Sequence, residues 1–338
     1  MEQVNRMNWK EPRVKFALEA VQQAATLAAA IQNEMVTEAL TKDDRSPVTV
    51  ADFAAQAVVG SLLEGAFPGE LLVGEERAEV LRSPQERRTL EQTTTFVSRV
   101  ISGITPEEVC DSIDRGVDEP GENYWTLDPI DGTKGFLRRA QYATAFAYVE
   151  SGRVMLGVLG CPNLTHDLQE SRGGNGCLVI ASRGAGSWIA PLDAELDGSR
   201  FKQLKVSSRS DPGEARLLRS YESGHTDADL IDIFQAELGG RADPVRMDSQ
   251  TKYALLASGK GEIYLRLLSP AKPDYREKIW DQAAGSIIVE EAGGKVTDLD
   301  GRQLDFSQGR TLKKNRGICA TNGIFHERAL KALKAVRA

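Results

Sequence analysis

The run Trp125-Thr126-Leu127-Asp128-Pro129-Ile130-Asp131-Gly132-Thr133-Lys134-Gly135-Phe136 carries two carboxylates on a segment that must turn sharply. A glycine, a hydroxyl and a second glycine follow. Hard cations such as Mg²⁺ prefer carboxylate, carbonyl and water oxygens. Asp128, Asp131 and the Ile130 carbonyl between them make such a set. Gly132 lets the backbone approach a ligand with no side chain in the way. If Thr133 opens a helix or a tight turn, its N–H groups point at an anion. One end of the run therefore suits cations and the other a phosphate, which makes a magnesium-dependent phosphatase the first hypothesis. For the Asp-Pro-x-Asp core alone, an ordinary surface turn with local side-chain hydrogen bonds is the structural alternative.

Other carboxylates fall at places that could join this pair. Asp52 follows Ser46-Pro47-Val48-Thr49-Val50-Ala51, and Glu75 ends the strand-like Leu71-Leu72-Val73-Gly74. Asp281 lies in Ile279-Trp280-Asp281-Gln282-Ala283-Ala284-Gly285, which reads as the first turn of an apolar helix. Singly, Asp52 and Asp281 are explained by helix capping and the helix dipole, and Glu75 by a solvated strand end. Gathered in one cleft, the five would repel one another or take up protons. Divalent cations remove that difficulty and reverse the local sign of an acidic chain. Metal ions a few ångströms apart can activate a water and stabilise both oxygens of an in-line displacement. No covalent nucleophile is then needed.

The elements that must position these groups read as follows. A long amphipathic helix is predicted from about Glu11 to Leu40 and a second from about Ala51 to Gly65. Leu71 to Glu76 reads as a short strand and Ser83 to Ile101 as a surface helix. Tyr124 to Leu127 suits a buried strand, which Pro129 should end near Asp128. Ala143 to Val149 and Val154 to Leu159 form a hairpin turning at Ser151-Gly152. His166-Asp167-Leu168 and Cys177 to Trp188 suggest further antiparallel strands. Beyond an irregular stretch at Ala190 to Ser199, strands at Arg216–Ser220, Glu262–Leu267 and Gly317–Thr321 alternate with helices. Those helices are at Asp227–Leu238, Ser249–Ser258, Lys278–Ala292 and Phe325–Val336. The pattern is α/β, with an N-terminal subdomain at 1–170 and a C-terminal one at 171–338.

The bulk figures limit the partners. The 338 residues carry a net charge of −7, which argues against a nucleic-acid polymer. No run of 18 apolar residues suggests a membrane span, and the N-terminus has no apolar signal core. A cytoplasmic monomer acting on a small molecule is expected, with a removed transit peptide left open. Cys110, Cys161, Cys177 and Cys319 are widely spaced, as free thiols are. Three histidines are too few for a zinc site built from imidazoles.

Taken together, the motifs resemble the lithium-sensitive, magnesium-dependent phosphatases of the inositol monophosphatase superfamily. The G-E-E strand end (Gly74-Glu75-Glu76), D-P-[IL]-D-G-T (Asp128 to Thr133) and W-D-x-A-A-G (Trp280 to Gly285) occur in the family's order. Within it, Lys42 to Asp52, Asp131 to Arg138, Gly160 to Leu164, Asp248 to Tyr253, Ile263 to Arg266 and Tyr275 to Asp281 resemble the 3′(2′),5′-bisphosphate nucleotidase branch. The likeness spans about residues 12 to 330. It departs at Arg77, where the family often has Ser or Asp, and at 78–122 and 190–202, which have no clear counterpart.

The resemblance implies a layered α/β/α/β/α sandwich of the inositol monophosphatase and fructose-1,6-bisphosphatase type. It implies Glu75, Asp128 and the Ile130 carbonyl at a first Mg²⁺, Asp128, Asp131 and Asp281 at a second, and Glu75 at a weaker third. Asp52 and Thr133 would orient and deprotonate the attacking water. Gly132 and Thr133 would cradle the scissile phosphate. His225, Ser249, Lys252 and Arg266, with Asp281, would hold the rest of the nucleotide, Lys252 and Arg266 facing its 5′-phosphate. The implied reaction is removal of the 3′-phosphate of adenosine 3′,5′-bisphosphate, with 3′-phosphoadenylyl sulfate as a second substrate and Li⁺ as inhibitor. An inositol polyphosphate 1-phosphatase and a catalytically silent nucleotide-binding sensor are the competing readings.

Overall fold

The computed structural model describes residues 7–36, 46–221, 228–268 and 272–336. Two helices come first. Helix α1 (Pro12–Met35) is capped by the Glu11 side chain, which accepts from the Val14 N–H at 2.6 Å, with Pro12 in its first turn. Helix α2 (Ser46–Ala66) follows. Residues 37–45, including the expected end of the first helix and Lys42 and Asp44 of the branch motif, lie outside the described residues. Val48–Ala66 is long and apolar enough to cross a membrane by length and mean composition, though Asp52, Gln56 and Glu64 interrupt any unbroken apolar run. It is mostly buried, packed against α1 and strand β2 of the first sheet, as a core helix is.

The first sheet has seven strands in the order β1-β2-β3-β4-β5-β6-β7. They are β1 (Leu72–Gly74), β2 (Asn123–Asp131), β3 (Ala143–Glu150), β4 (Arg153–Cys161), β5 (Cys177–Ser182), β6 (Gly186–Pro191) and β7 (Lys202–Leu204). Only β1 and β2 are parallel; the rest form an antiparallel meander. The second sheet is β11-β12-β10-β8-β9, from β8 (Leu217–Arg219), β9 (Val245–Arg246), β10 (Ile263–Arg266), β11 (Lys295–Thr297) and β12 (Ile318–Thr321). The first sheet thus takes strands from both sides of position 170, and the two sheets part between Leu204 and Leu217.

Helices complete the layers. Helices α1 and α2 cover one face of the first sheet, and α7 (Thr251–Ala257) and α8 (Ala283–Glu291) fill the space between the sheets. Helices α6 (Ala228–Leu238) and α9 (His326–Ala335) cover the outer face of the second. This is the α/β/α/β/α order expected. The central core joins Tyr253, Ile287 and Ile288 to Val158's neighbour Leu159 and to Tyr264 and Ala320 of the second sheet. Gly157 and Gly285 allow this close packing: an added Cβ would stand 2.6 Å from Ile287 and 2.0 Å from the Tyr253 ring respectively.

Several elements differ from expectation. Pro129 does not end β2, because the strand passes through a bulge between Asp128 and Asp131, where three steps face two on β3. There the Pro129 carbonyl accepts from Thr144 Oγ1 at 2.9 Å. Helix α8 starts at Ala283, not Lys278, since Lys278 is bridged to Thr311. Asp281 therefore precedes the helix. His166–Leu168 is a turn. The surface helix is shorter, α3 (Arg87–Val97), and α4 (Pro106–Asp114), with a full Thr105–Glu108 capping box, lies in a region that gave no signal. The four cysteines are buried and free, with Cys161 facing Cys177 across β4 and β5.

Candidate active site

The parallel pair β1 and β2 brings the first two carboxylates together. Gly74 is in register with Leu127, so the next residues, Glu75 and Asp128, emerge side by side. The two carboxyls lie close enough for each to act on the other. The bulge turns Asp131 toward the same cleft as Asp128. Gly132 then takes a left-handed φ of 95°, and α5 (Thr133–Leu137) starts at Thr133. The N–H groups of such a first turn have no partner within the helix. Gly135 is required by contact: a Cβ there would stand 2.0 Å from the Gln141 carbonyl oxygen. Below the turn, Gln32 Nε2 donates to the Phe136 carbonyl at 2.7 Å, and Asn163 Nδ2 donates to Gln32 Oε1 and the Ala140 carbonyl at 3.0 and 2.7 Å.

Asp281 arrives from the other half of the chain. Gln250, almost wholly buried, fastens it there. Its backbone N–H donates to Asp131, its Nε2 donates to the Trp280 carbonyl at 3.0 Å, and its Oε1 accepts from the Gly285 N–H at 3.1 Å. Neighbouring Ser249 holds a left-handed φ of 58°. Asp52, on α2, is buried close enough for its charge to act on Asp128. The G-E-E strand end is held by buried Gln56, which accepts from the Glu76 N–H at 3.0 Å and donates to the Glu76 and Ile113 carbonyls at 2.8 Å each.

Electrostatics follow from this crowding. Burial, then the charges of Glu75, Asp131, Asp281 and Asp52, raise the Asp128 carboxyl well above its usual range. Asp281 is raised well by burial and Asp131, against Arg266. Asp52 is raised well by burial and by Glu76 and Glu75. Glu75 and Asp131 are raised too, each chiefly by burial. Glu76 is pushed up to about 7 by burial and Glu75.

These residues fit a hard cation. Oδ1 of Asp128 and Oδ1 of Asp52 are buried with no hydrogen-bond partner, and the donors are all oxygens. Among the described residues, no three acidic, histidine or cysteine side chains stand in a ready-made cage.

The cleft, about 300 Å³, is lined by Glu75, Asp128, Ile130, Asp131, Thr133 and Asp281. The same cleft also carries cations, close enough for the charges of Lys252 and Arg266 to act on Asp131. Lys252 is 3% exposed, hydrogen-bonds Ser220 Oγ at 3.2 Å and lies 5.3 Å from the Tyr264 ring centre. Burial lowers its ammonium to about 8. Arg266 also lines the cleft, but it is forked onto buried Glu277 at 2.9 and 3.3 Å. Its charge is thus partly met within the protein. Ser249 lines the cleft; His225 lies outside the described residues. Arg138, ion-paired to Asp248 at 2.5 Å, and Tyr275 also line the cleft; both ended or opened quoted motifs but were given no role there. Gln250 and Glu277 sat inside quoted motifs, yet only the fold reveals their contacts.

Comparisons with known proteins bear on the family and the fold. The family description "Inositol monophosphatase family" matches residues 9–338. A 3′(2′),5′-bisphosphate nucleotidase of Schizosaccharomyces pombe is 41% identical over 95% of this chain and 95% of its own. One from Oryza sativa is 43% identical over 94% and 92%. Among solved structures, the Thermotoga maritima IMPase aligns with a TM-score of 0.62 at 20% identity over 97% of this chain and 98% of its own. CysQ from Bacteroides thetaiotaomicron aligns with 0.62 at 17% over 92% and 97%. By its motifs, its layered fold and this full-length match, the chain belongs to the inositol monophosphatase family.

Proposed function

We propose that this chain removes the 3′-phosphate of adenosine 3′,5′-bisphosphate to give AMP and inorganic phosphate, and acts likewise on 3′-phosphoadenylyl sulfate. The observation that carries the reading is a cleft of about 300 Å³ lined both by a buried carboxylate set and by the cations Lys252, almost wholly buried, and Arg266. That layout suits a small ligand with two phosphates, one placed for reaction and one retained. The names of the relatives at 41% and 43% identity support the nucleotide.

Glu75, Asp128 and the Ile130 carbonyl would hold one Mg²⁺, Asp128, Asp131 and Asp281 a second, and Glu75 a weaker third. Bound there, Mg²⁺ supplies positive charge to the phosphoryl oxygens and acidifies water. Asp52 and Thr133 orient the attacking water, and the Asp52 carboxylate takes its proton by way of the Thr133 hydroxyl. The backbone of Gly132 and Thr133 holds the transferring phosphoryl group as its charge spreads over three oxygens. Lys252, Arg266, Ser249 and His225 hold the 5′-phosphate and sugar. Li⁺ would inhibit by taking one of the positions that Glu75, Asp128, Asp131 and Asp281 would offer a cation.

Phosphate release at equal concentrations of adenosine 3′,5′-bisphosphate and inositol 1,4-bisphosphate, with and without Mg²⁺ and Li⁺, tests this reading. A Mg²⁺-dependent preference for the nucleotide is expected. Preference for the inositol compound would make the chain an inositol polyphosphate 1-phosphatase. Binding without release would make it a nucleotide sensor.

A further inference from the structure

Arg310 lies in the long connection between β11 and β12, far in sequence from every motif. Its segment runs beside the approach to Asp281. The Arg310 carbonyl accepts from the Ile279 N–H at 3.2 Å, Lys278 bridges Thr311, and the Leu312 N–H donates to the Glu277 carbonyl at 2.9 Å. The side chain crosses to the first sheet. One nitrogen donates to the carbonyls of Gly116 and Asp118 at 3.2 and 2.9 Å, and the other donates to the Gly74 carbonyl. The guanidinium also lies 4.9 Å from the ring centre of Trp280. Arg310 therefore touches the residue before Glu75 and the residue before Asp281. These carboxylates come from opposite halves of the chain.

We propose that Arg310 is a positioning residue that fixes the spacing of Glu75 and Asp281, and so sets the cleft's affinity for divalent cations. This rests on the cation site assigned above. The planar fork of a guanidinium can serve three carbonyls and stack on an indole at once, whereas an ammonium is a compact point charge that cannot reproduce both. Residues that orient metal ligands typically change affinity or activity about 10- to 100-fold when replaced.

The test is Mn²⁺ binding, read as free Mn²⁺ by electron paramagnetic resonance, to the parent, Arg310→Met, Arg310→Lys and Arg302→Met. Arg302 is an exposed arginine on the same connection, paired to Asp300 at 3.4 Å. Thermal melts establish that each protein is folded at the assay temperature. The Mn²⁺ dissociation constant should rise about tenfold or more in Arg310→Met, less in Arg310→Lys, and stay at the parent value in Arg302→Met. Excess Mg²⁺ should restore turnover in Arg310→Lys. Should Arg310→Met fail to fold, Arg310→Lys carries the test. Parent-like Mn²⁺ binding in folded Arg310 variants, or an equal loss in Arg302→Met, would overturn the proposal. A parent that binds no Mn²⁺ would overturn the cation site itself, and this inference with it.

Discussion

Replacing Lys252 with methionine keeps most of the side-chain volume and removes one buried charge from the lining of the cleft. In the free protein burial lowers this ammonium from 10.5 to about 8. At about 1.36 kcal/mol per unit, holding it charged costs roughly 3 kcal/mol. A phosphate beside it offsets that cost. Truncating one partner of a buried charge pair typically loses about 2–5 kcal/mol. Arg266 remains in the same cleft, so the low end applies: about 2 kcal/mol, or roughly a 30-fold rise in KM for adenosine 3′,5′-bisphosphate. Adenosine 3′-monophosphate has no 5′-phosphate, and its KM should be nearly unchanged. The pH dependence has a definite sign. A lowered lysine loses its charge as pH rises through about 8, so the parent's KM for the bisphosphate should climb above pH 8. Lys252→Met should be flat there. The same linkage predicts that the parent's stability rises between about pH 8 and 10.5, where the unfolded chain holds this proton and the folded one does not, and that Lys252→Met lacks that rise. Initial rates on both substrates from pH 6.5 to 9.5 decide the matter. An equal KM change on the two substrates, or an unaltered pH profile, would refute the placing of the 5′-phosphate at Lys252.

Other expected outcomes follow from single contacts. Gly285→Ala forces a methyl to within 2.0 Å of the Tyr253 ring, whose hydroxyl is tied to Gln282 at 2.5 Å, and should lower stability by about 1–3 kcal/mol in denaturant titration. Gly135→Ala meets the Gln141 carbonyl at 2.0 Å and should disturb the turn that carries Thr133, lowering kcat more than it raises KM. Arg266→Ala leaves Glu277 buried and unpaired; melting experiments should show a loss of about 3–5 kcal/mol, with Arg266→Lys between it and the parent. His326 is held near 4 by burial, between Thr297 and Thr321, so its contribution to stability should be lost as pH falls from about 6.5 toward 4. His326→Gln should flatten that part of a pH–melting curve.

Much of the cleft was legible because its chemistry is local. Asp128, Asp131, Gly132 and Thr133 are consecutive, and the oxygens and the left-handed glycine declare themselves. The periodicity of β3 and β4 and of α1 was equally plain. Element ends were less so. Pro129 argues for a strand end, but a bulge frees its missing N–H from the ladder, which no propensity reveals. The segment before Ala283 reads as helix, yet pairing of Lys278 with Thr311 holds its start off the helix and leaves Asp281 in the turn that follows. Burial was the other blind spot. Lys252 resembles a solvated helix-face lysine until the second sheet covers it, and Arg266 resembles a free cation until Glu277 is seen beneath it. Gln56, Gln250 and Arg310 act through contacts with residues far away in sequence, so no spacing rule could mark them.

The central claim is that Asp128 anchors a cation-dependent phosphatase site specific for a 3′-phosphorylated nucleotide. The most direct measurement is phosphate release from adenosine 3′,5′-bisphosphate by the parent and by Asp128→Asn across a Mg²⁺ titration, with melting curves to show that both are folded. The account predicts Mg²⁺-dependent release by the parent and none above background by Asp128→Asn at any Mg²⁺ concentration. Parent-like turnover in the folded variant, or release by the parent that ignores Mg²⁺, would contradict it.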